Sequence, residues 1–122
     1  MSAFGHNIRL HIDSELRHAA QAESDGNTAR AFAHLERAHV LGQSSTAQHV
    51  CVHWHMFLWG LRNQNIRECR GQVMRIVGAA TKTAFGLVPT GNTGGSNISP
   101  FKPLPVPSEL ASIIRRAQRR AE

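Results

Sequence analysis

The sequence predicts an all-α fold: four antiparallel helices stacked as two hairpins, then a long Gly/Pro-rich loop and a short C-terminal helix. Three observations predict it. Apolar residues recur three and four positions apart over most of the first 85 residues, which is the spacing of one helical face. The breaks between these segments are short and carry capping residues, so consecutive helices should be antiparallel neighbours. The chain has 122 residues, 41% of them apolar and 18% charged, a folding composition long enough for one core and one domain over 1–122.

The first helix is expected over 8–23, where Ile8, Ile12, Leu16 and Ala19 share a face and Ser24-Asp25-Gly26 ends the run. The second, over 28–41, is capped by Asn27 or Thr28. It carries Ala31, Phe32, Leu35 and Ala38 on its apolar side and stops at Gly42, where glycine suits a left-handed cap. Ser45 and Gln48 have the spacing of a capping box and start a third helix over 46–61. That helix is apolar around most of its circumference, as a central element should be. Asn65 and Glu68 repeat the capping spacing, and Ile66, Cys69, Val73, Val77, Ala80 and Ala84 mark the stripe of a fourth helix over 66–85. Residues 86–107, GLVPTGNTGGSNISPFKPLPVP, hold too much Gly and Pro for helix or central strand and should form an ordered loop. Ser108 caps the fifth helix, over 109–120, whose Leu110, Ile113 and Ile114 precede Arg115, Arg116, Arg119 and Arg120. The paired helices suggest a helical repeat, but ELRH and ERAH are the only echo between them.

Several function classes recede on composition. The start, MSAFGHNIR, lacks the apolar core of a signal peptide, so a cytoplasmic location is expected. The longest apolar run, 50–61, is broken by His53 and His55 and falls short of the ~20 residues that cross a bilayer, so no membrane span is expected. Cys51 and Cys69 have no CxxC spacing and read as free, buried thiols. A net charge of +6 permits weak attraction to nucleic acid. The arginines of the last helix come without aromatic platforms or a DNA-reading motif, so nucleic-acid binding is not favoured.

The informative stretch is HLERAHVLGQSSTAQHVCVHWH, residues 34–55, which holds five of the eight histidines. Glu36 and His39 form an E-x-x-H on the second helix, and His49 and His53 an H-x-x-x-H on the third. Side chains at these spacings share a helix face. Antiparallel packing across the turn sets His39 opposite Gln48 or His49, and Glu36 within about half a turn of His53. Imidazole with carboxylate is a ligand set for a divalent transition metal, zinc first, with cobalt, nickel or copper open. Two readings compete with a metal site: histidines bonded to a carboxylate for structural reasons, and a metal-free catalytic pair. Cys51 projects to another side of its helix, and His34, His55 and His6 are incidental. His11, Glu15 and His18 form a second patch that invites comparison with di-iron bundles. It lacks the additional glutamates and flanks the apolar stripe, so a solvated face is expected there.

GNTGGSN is neither a dinucleotide fingerprint nor a P-loop, since no Gly-Lys-Ser/Thr follows. A structured surface turn is the first expectation, and a cover over a site the second. The P-x-x-P spacing of PFKPLPVP leads the chain across a surface.

HLERAHVLGQ, HVCVHWHMFLWGLR and GNTGGSNISPFKPLPVP together resemble a family of small bacterial proteins known as a domain of unknown function, over about residues 28–114. The resemblance implies a cytoplasmic all-helical protein, often encoded near heavy-metal resistance and cation-efflux genes. The family's recurrent features fall on Glu36, Arg37, His39, Gln43, His49, His53 and the turn Gly91-Asn92-Thr93-Gly94. It brings no established activity.

The function expected from these readings is metal binding, by sequestration or transfer, with Glu36, His39, His49 and His53 as ligands. The alternative is a helical protein-interaction module whose histidines are structural. A metal-dependent hydrolase would need one ligand position given to water, and nothing in the sequence names its substrate, so enzyme status is undecided. A protein partner and a homo-oligomer are both left open.

Overall fold

The computed structural model describes residues 2–82, 91–99 and 102–121, with the backbone alone for Thr81 and Lys82. These residues form five helices and no strand: α1 (Ala3–Ser24), α2 (Thr28–Gly42), α3 (Thr46–Arg62), α4 (Ile66–Lys82) and α5 (Ser108–Arg119). The expected extension of the fourth helix to 85, including Ala84, lies outside the described residues, as do loop positions 86–90, Pro100 and Phe101.

Local chemistry explains the starts. Ser2 Oγ accepts the Gly5 N–H at 3.0 Å, so α1 begins several residues before its apolar stripe and takes in His6. Asn27 caps α2 through the Arg30 N–H at 3.1 Å, and Asn65 caps α4 through the Glu68 N–H at 3.0 Å. The expected capping box of α3 does not form. Ser45 occupies the cap position without a side-chain capping hydrogen bond, and Gln48 donates to the Gly5 carbonyl at 3.4 Å, tying α3 to α1. At α5 the cap is Pro107 and Ser108 is the first helical residue.

Gly42 also departs from expectation. It lies within α2, and Gly26, Gly91 and Gly94 are the described glycines with positive φ. What Gly42 provides is close approach: a Cβ there would stand 2.8 Å from Ile12 Cδ1 and 3.0 Å from Gln48 Cβ. Three helices meet at that point. The core around it contains Ile8, Ile12, Leu35, Ala38, Leu41, Val52, Met56 and Leu110, contributed by α1, α2, α3 and α5.

The most extensive helix contacts are α1 with α2 and α3 with α4, with α2 joined to α3 across the short turn, which fits a hairpin arrangement. α5 rests on α1 and α2, held in part by Asn7 Nδ2 donating to the Ala117 carbonyl at 3.1 Å. Arg62 makes a two-pronged bond to Glu23, at 2.7 and 2.9 Å, joining the C-terminal ends of α3 and α1.

Two faces differ from what apolar period and polar patch suggest. The apolar stripe of α4 is not its buried face: Ile66 is 71% exposed, Val73 51% and Val77 66%, whereas Glu68, Gln72 and Ala79 are buried. The helix meets α3 along its side, where a Cβ on Gly60 would come within 2.9 Å of Cys69 Sγ, and it turns its polar side towards residues 91–99. Nor is Glu15 part of a solvated face. It accepts from Arg37 Nε at 2.9 Å and pairs with His34 Nδ1 at 2.7 Å, while Arg37 also reaches Glu109 at 3.0 Å. That chain of charges ties α1, α2 and α5, so Arg37 serves the fold at this position.

Candidate metal centre

His39 lies in the last turns of α2, and His49 and His53 occupy successive turns of α3. The short turn at 43–45 and the missing side chain of Gly42 let α3 pass close to α2. All three imidazoles therefore enter one buried space, with exposures of 3–5%. Their Nε2 atoms form a nearly equilateral triangle: 2.9 Å from His39 to His49, 3.1 Å from His39 to His53, and 3.1 Å from His53 to His49. Among the described residues this is the one group of three or more metal-ligating side chains close enough to hold an ion.

The other ring nitrogens fix where the protons are. His39 Nδ1 lies 2.6 Å from the Asn92 carbonyl oxygen, which can only accept, so His39 carries its proton on Nδ1 and presents a lone pair at Nε2. His53 Nδ1 lies 2.5 Å from Gln72 Oε1. The Gln72 amide orientation follows from its other end, where Nε2 donates to Glu68 Oε1 at 2.8 Å and to the Gly94 carbonyl at 2.9 Å. A flipped amide would aim oxygen at two acceptors. His53 therefore donates from Nδ1 and also turns a lone pair inward.

The consequence is electrostatic. The 3.1 Å contact between His39 and His53 cannot be a hydrogen bond while both rings are neutral, because neither Nε2 has a proton to share. A single proton from His49 could serve at most part of the triangle. Charging a ring is opposed as well: burial holds the His39 imidazole well below its ordinary value of 6.5, and the charges of His53 and His49, with a lesser one from Arg75, push it the same way. Only its bond to Asn92 raises it. Two inward lone pairs beside a third Nε2 in a buried site favour a metal cation over a proton.

A network absent from the sequence reading supports these rings. Gln72 bridges His53 to Glu68, and Glu68 accepts from the Ser96 N–H at 3.2 Å and from the Ser96 hydroxyl. Arg75 donates to the Gly94 carbonyl at 2.7 Å and to the Ile98 carbonyl. Burial lowers the Arg75 guanidinium from its ordinary range, while Glu68 opposes that shift. Asn92 Nδ2 donates to the carbonyls of Ser99 and Lys102, at 2.8 and 2.6 Å, and its Oδ1 accepts the Gly94 N–H at 2.9 Å. Residues 91–95 thereby cover the histidines, with Gly94 directly over the His39 ring. The clue in the sequence was Glu68 with Gln72, four apart on the polar side of α4.

Of the residues predicted as ligands, His39, His49 and His53 converge, and Glu36 is outside their group. Burial raises the pKa of its carboxyl from 4.5, the neighbouring Thr93 side chain opposes that shift, and Glu68 adds to it. His34 is engaged by Glu15 at 2.7 Å and His55 is half-buried, with its pKa lowered by burial and then by Arg62. Cys51 and Cys69 are free thiols.

Two results are expected from this geometry. Gln72→Leu removes the acceptor for His53 Nδ1–H, and an outer partner of this kind sustains roughly 10–100-fold in metal affinity; titration against a competing chelator measures the loss. In metal-free protein, stability contributed by neutral His39 should be complete above about pH 6.5 and fall as the pH drops towards its lowered folded value, because the unfolded chain then binds protons that the folded chain refuses. Chemical denaturation at stepped pH would show this slope, and a flat profile from pH 7 to 5 would contradict it.

Fold and site define a small helical protein with a buried three-histidine centre. The chain belongs to the family described as a protein of unknown function (DUF3703), whose model matches residues 6–114. No curated protein and no solved structure matches it. No helix among the described residues is long and apolar enough to cross a membrane.

Proposed function

We propose that this protein binds one divalent transition metal ion at His39, His49 and His53 and sequesters or transfers it in the cytoplasm. Zinc is the first choice, with cobalt, nickel and copper as alternatives. The observation that carries the reading is the triangle of Nε2 atoms with two of its three tautomers set for lone pairs facing inward. The three Nε2 atoms lie close enough together for one ion to be held by all of them, and three histidines would leave at least one position of a four-coordinate ion open. An ion with an open position can be handed on, and it can also polarise a bound water, which keeps a hydrolytic role as the lesser reading.

Glu36 enters this proposal as a neighbour of the ion. It stands one turn before His39, so its negative charge favours a cation, and the Thr93 side chain of the covering loop lies beside it. The gene neighbourhood implied by the family resemblance, with metal resistance and efflux, agrees with a metal-handling role.

Elemental analysis of protein purified without a histidine tag tests the proposal. One equivalent of metal, retained through gel filtration and released by chelator, is expected. Protein that takes up none from zinc, cobalt, nickel or copper solutions, and whose melting temperature ignores all four, would refute it.

A further inference from the structure

α4 carries its apolar residues on the outside. Ile66, Val73, Met74 and Val77 are 71%, 51%, 77% and 66% exposed, and Trp54 and Leu61 of the adjoining α3 are 50% and 54% exposed. The reason lies on the opposite side of the helix, where Glu68 and Gln72 hold His53 and residues 94–96. The site takes the inward face for polar work and leaves the apolar face exposed.

We propose that this face pairs with the same face of a second copy of the chain. Ile66, Arg70, Val73 and Val77 follow the spacing i, i+4, i+7, i+11, the seam of a helix that packs against another helix. An antiparallel two-fold crossing centred between Arg70 and Val73 sets Ile66 of each copy opposite Val77 of the other, and Val73 opposite the aliphatic stem of Arg70. Such a crossing is isologous and closes at two copies. The six exposed side chains present on the order of 700 Å², against ~800 Å² per partner in a standard interface. The composition fits as well. α3 and α4 together contain one acidic residue, Glu68, and it is buried. Among the described side chains the face is therefore made of Trp, Met, aliphatic residues and Arg, the types enriched in interfaces, with Glu and Asp missing from it. Arg67 and Arg70 are exposed; Arg67 lies at the rim, where salt screens its repulsion.

Sedimentation velocity on the full chain, from micromolar to millimolar and with or without zinc, tests the proposal. A concentration-dependent dimer is expected in both metal states, which keeps this test separate from that of the metal centre. Val77→Glu and Ile66→Glu should each shift the protein to monomer with unchanged helical circular dichroism. Both positions are exposed, and a glutamate at the first position of α4 suits the helix N-terminus. A wild-type monomer throughout the range overturns the proposal, whether the face then meets a different protein or stays in solvent. So does a dimer that survives both substitutions, because it would use another surface.

Discussion

Replacing His49 or His53 with alanine removes stoichiometric zinc and with it the largest single increment of stability expected of the protein. A ligand that binds only the folded state stabilises by about 4 kcal/mol at a free concentration a thousandfold above its dissociation constant. In a chain of this size that corresponds to a rise in melting temperature of about 10–20 °C. The wild type should show this rise on addition of zinc and lose it with chelator, whereas both variants should melt at one temperature in either condition. The metal-free comparison is equally informative. Removing one ring relieves the crowding of three Nε2 atoms about 3 Å apart, of which a single shared proton can serve only part, so the usual penalty for truncating a buried side chain is partly offset. A purely structural triad predicts the opposite pattern, with a large loss of stability in the metal-free variants and no response to zinc in the wild type. Acid should weaken zinc binding, since the ligands must be neutral.

The histidines were legible because helical periodicity and a short turn suffice to place them: His39 at the end of one helix, with His49 and His53 a turn apart on the next. Glu36 shares the face of His39 by spacing alone, yet it stays outside the histidine group, with Thr93 of the covering loop beside it. Spacing sets the side of the helix a carboxylate leaves from, and the loop that meets it decides its partner. α4 shows a related limit. Its period identifies an apolar face correctly, and the inference from apolar to buried fails because the opposite face is needed by the centre. A polar pair four apart, Glu68 and Gln72, competes for the inward side and prevails because each makes bonds there: Gln72 to His53 and Gly94, Glu68 to Ser96. Nothing in local propensity ranks those contacts, since their partners lie 19 to 28 positions away in the chain. The role of GNTGG was legible only as the second expectation, a cover over a site: glycines announce unusual backbone, while the reason for it here is the ring underneath.

Gly94→Ala should disrupt the centre without touching a ligand. Gly94 has φ +84°, and a Cβ added there would stand 2.5, 2.6 and 2.8 Å from Cδ2, Cγ and Nε2 of His39. Neither side can easily yield. The Gly94 carbonyl is held by Gln72 and Arg75 and its N–H by Asn92, while the His39 ring is held through Nδ1 by the Asn92 carbonyl. Gly26→Ala provides the control, because Gly26 has a similar φ of +80° and nothing within 4 Å of its Cβ position. That substitution isolates the cost of left-handed backbone, about 1 kcal/mol. The additional loss at Gly94, on the order of 2 kcal/mol or more in denaturant unfolding, then measures the clash with the ring. Zinc affinity separates the two variants further. Gly26→Ala should bind as tightly as the wild type, whereas the displaced His39 in Gly94→Ala leaves two well-placed nitrogens and a loss of at least tenfold. Equal affinity in the two would mean that the ring moves freely and that residues 91–95 do not set its position.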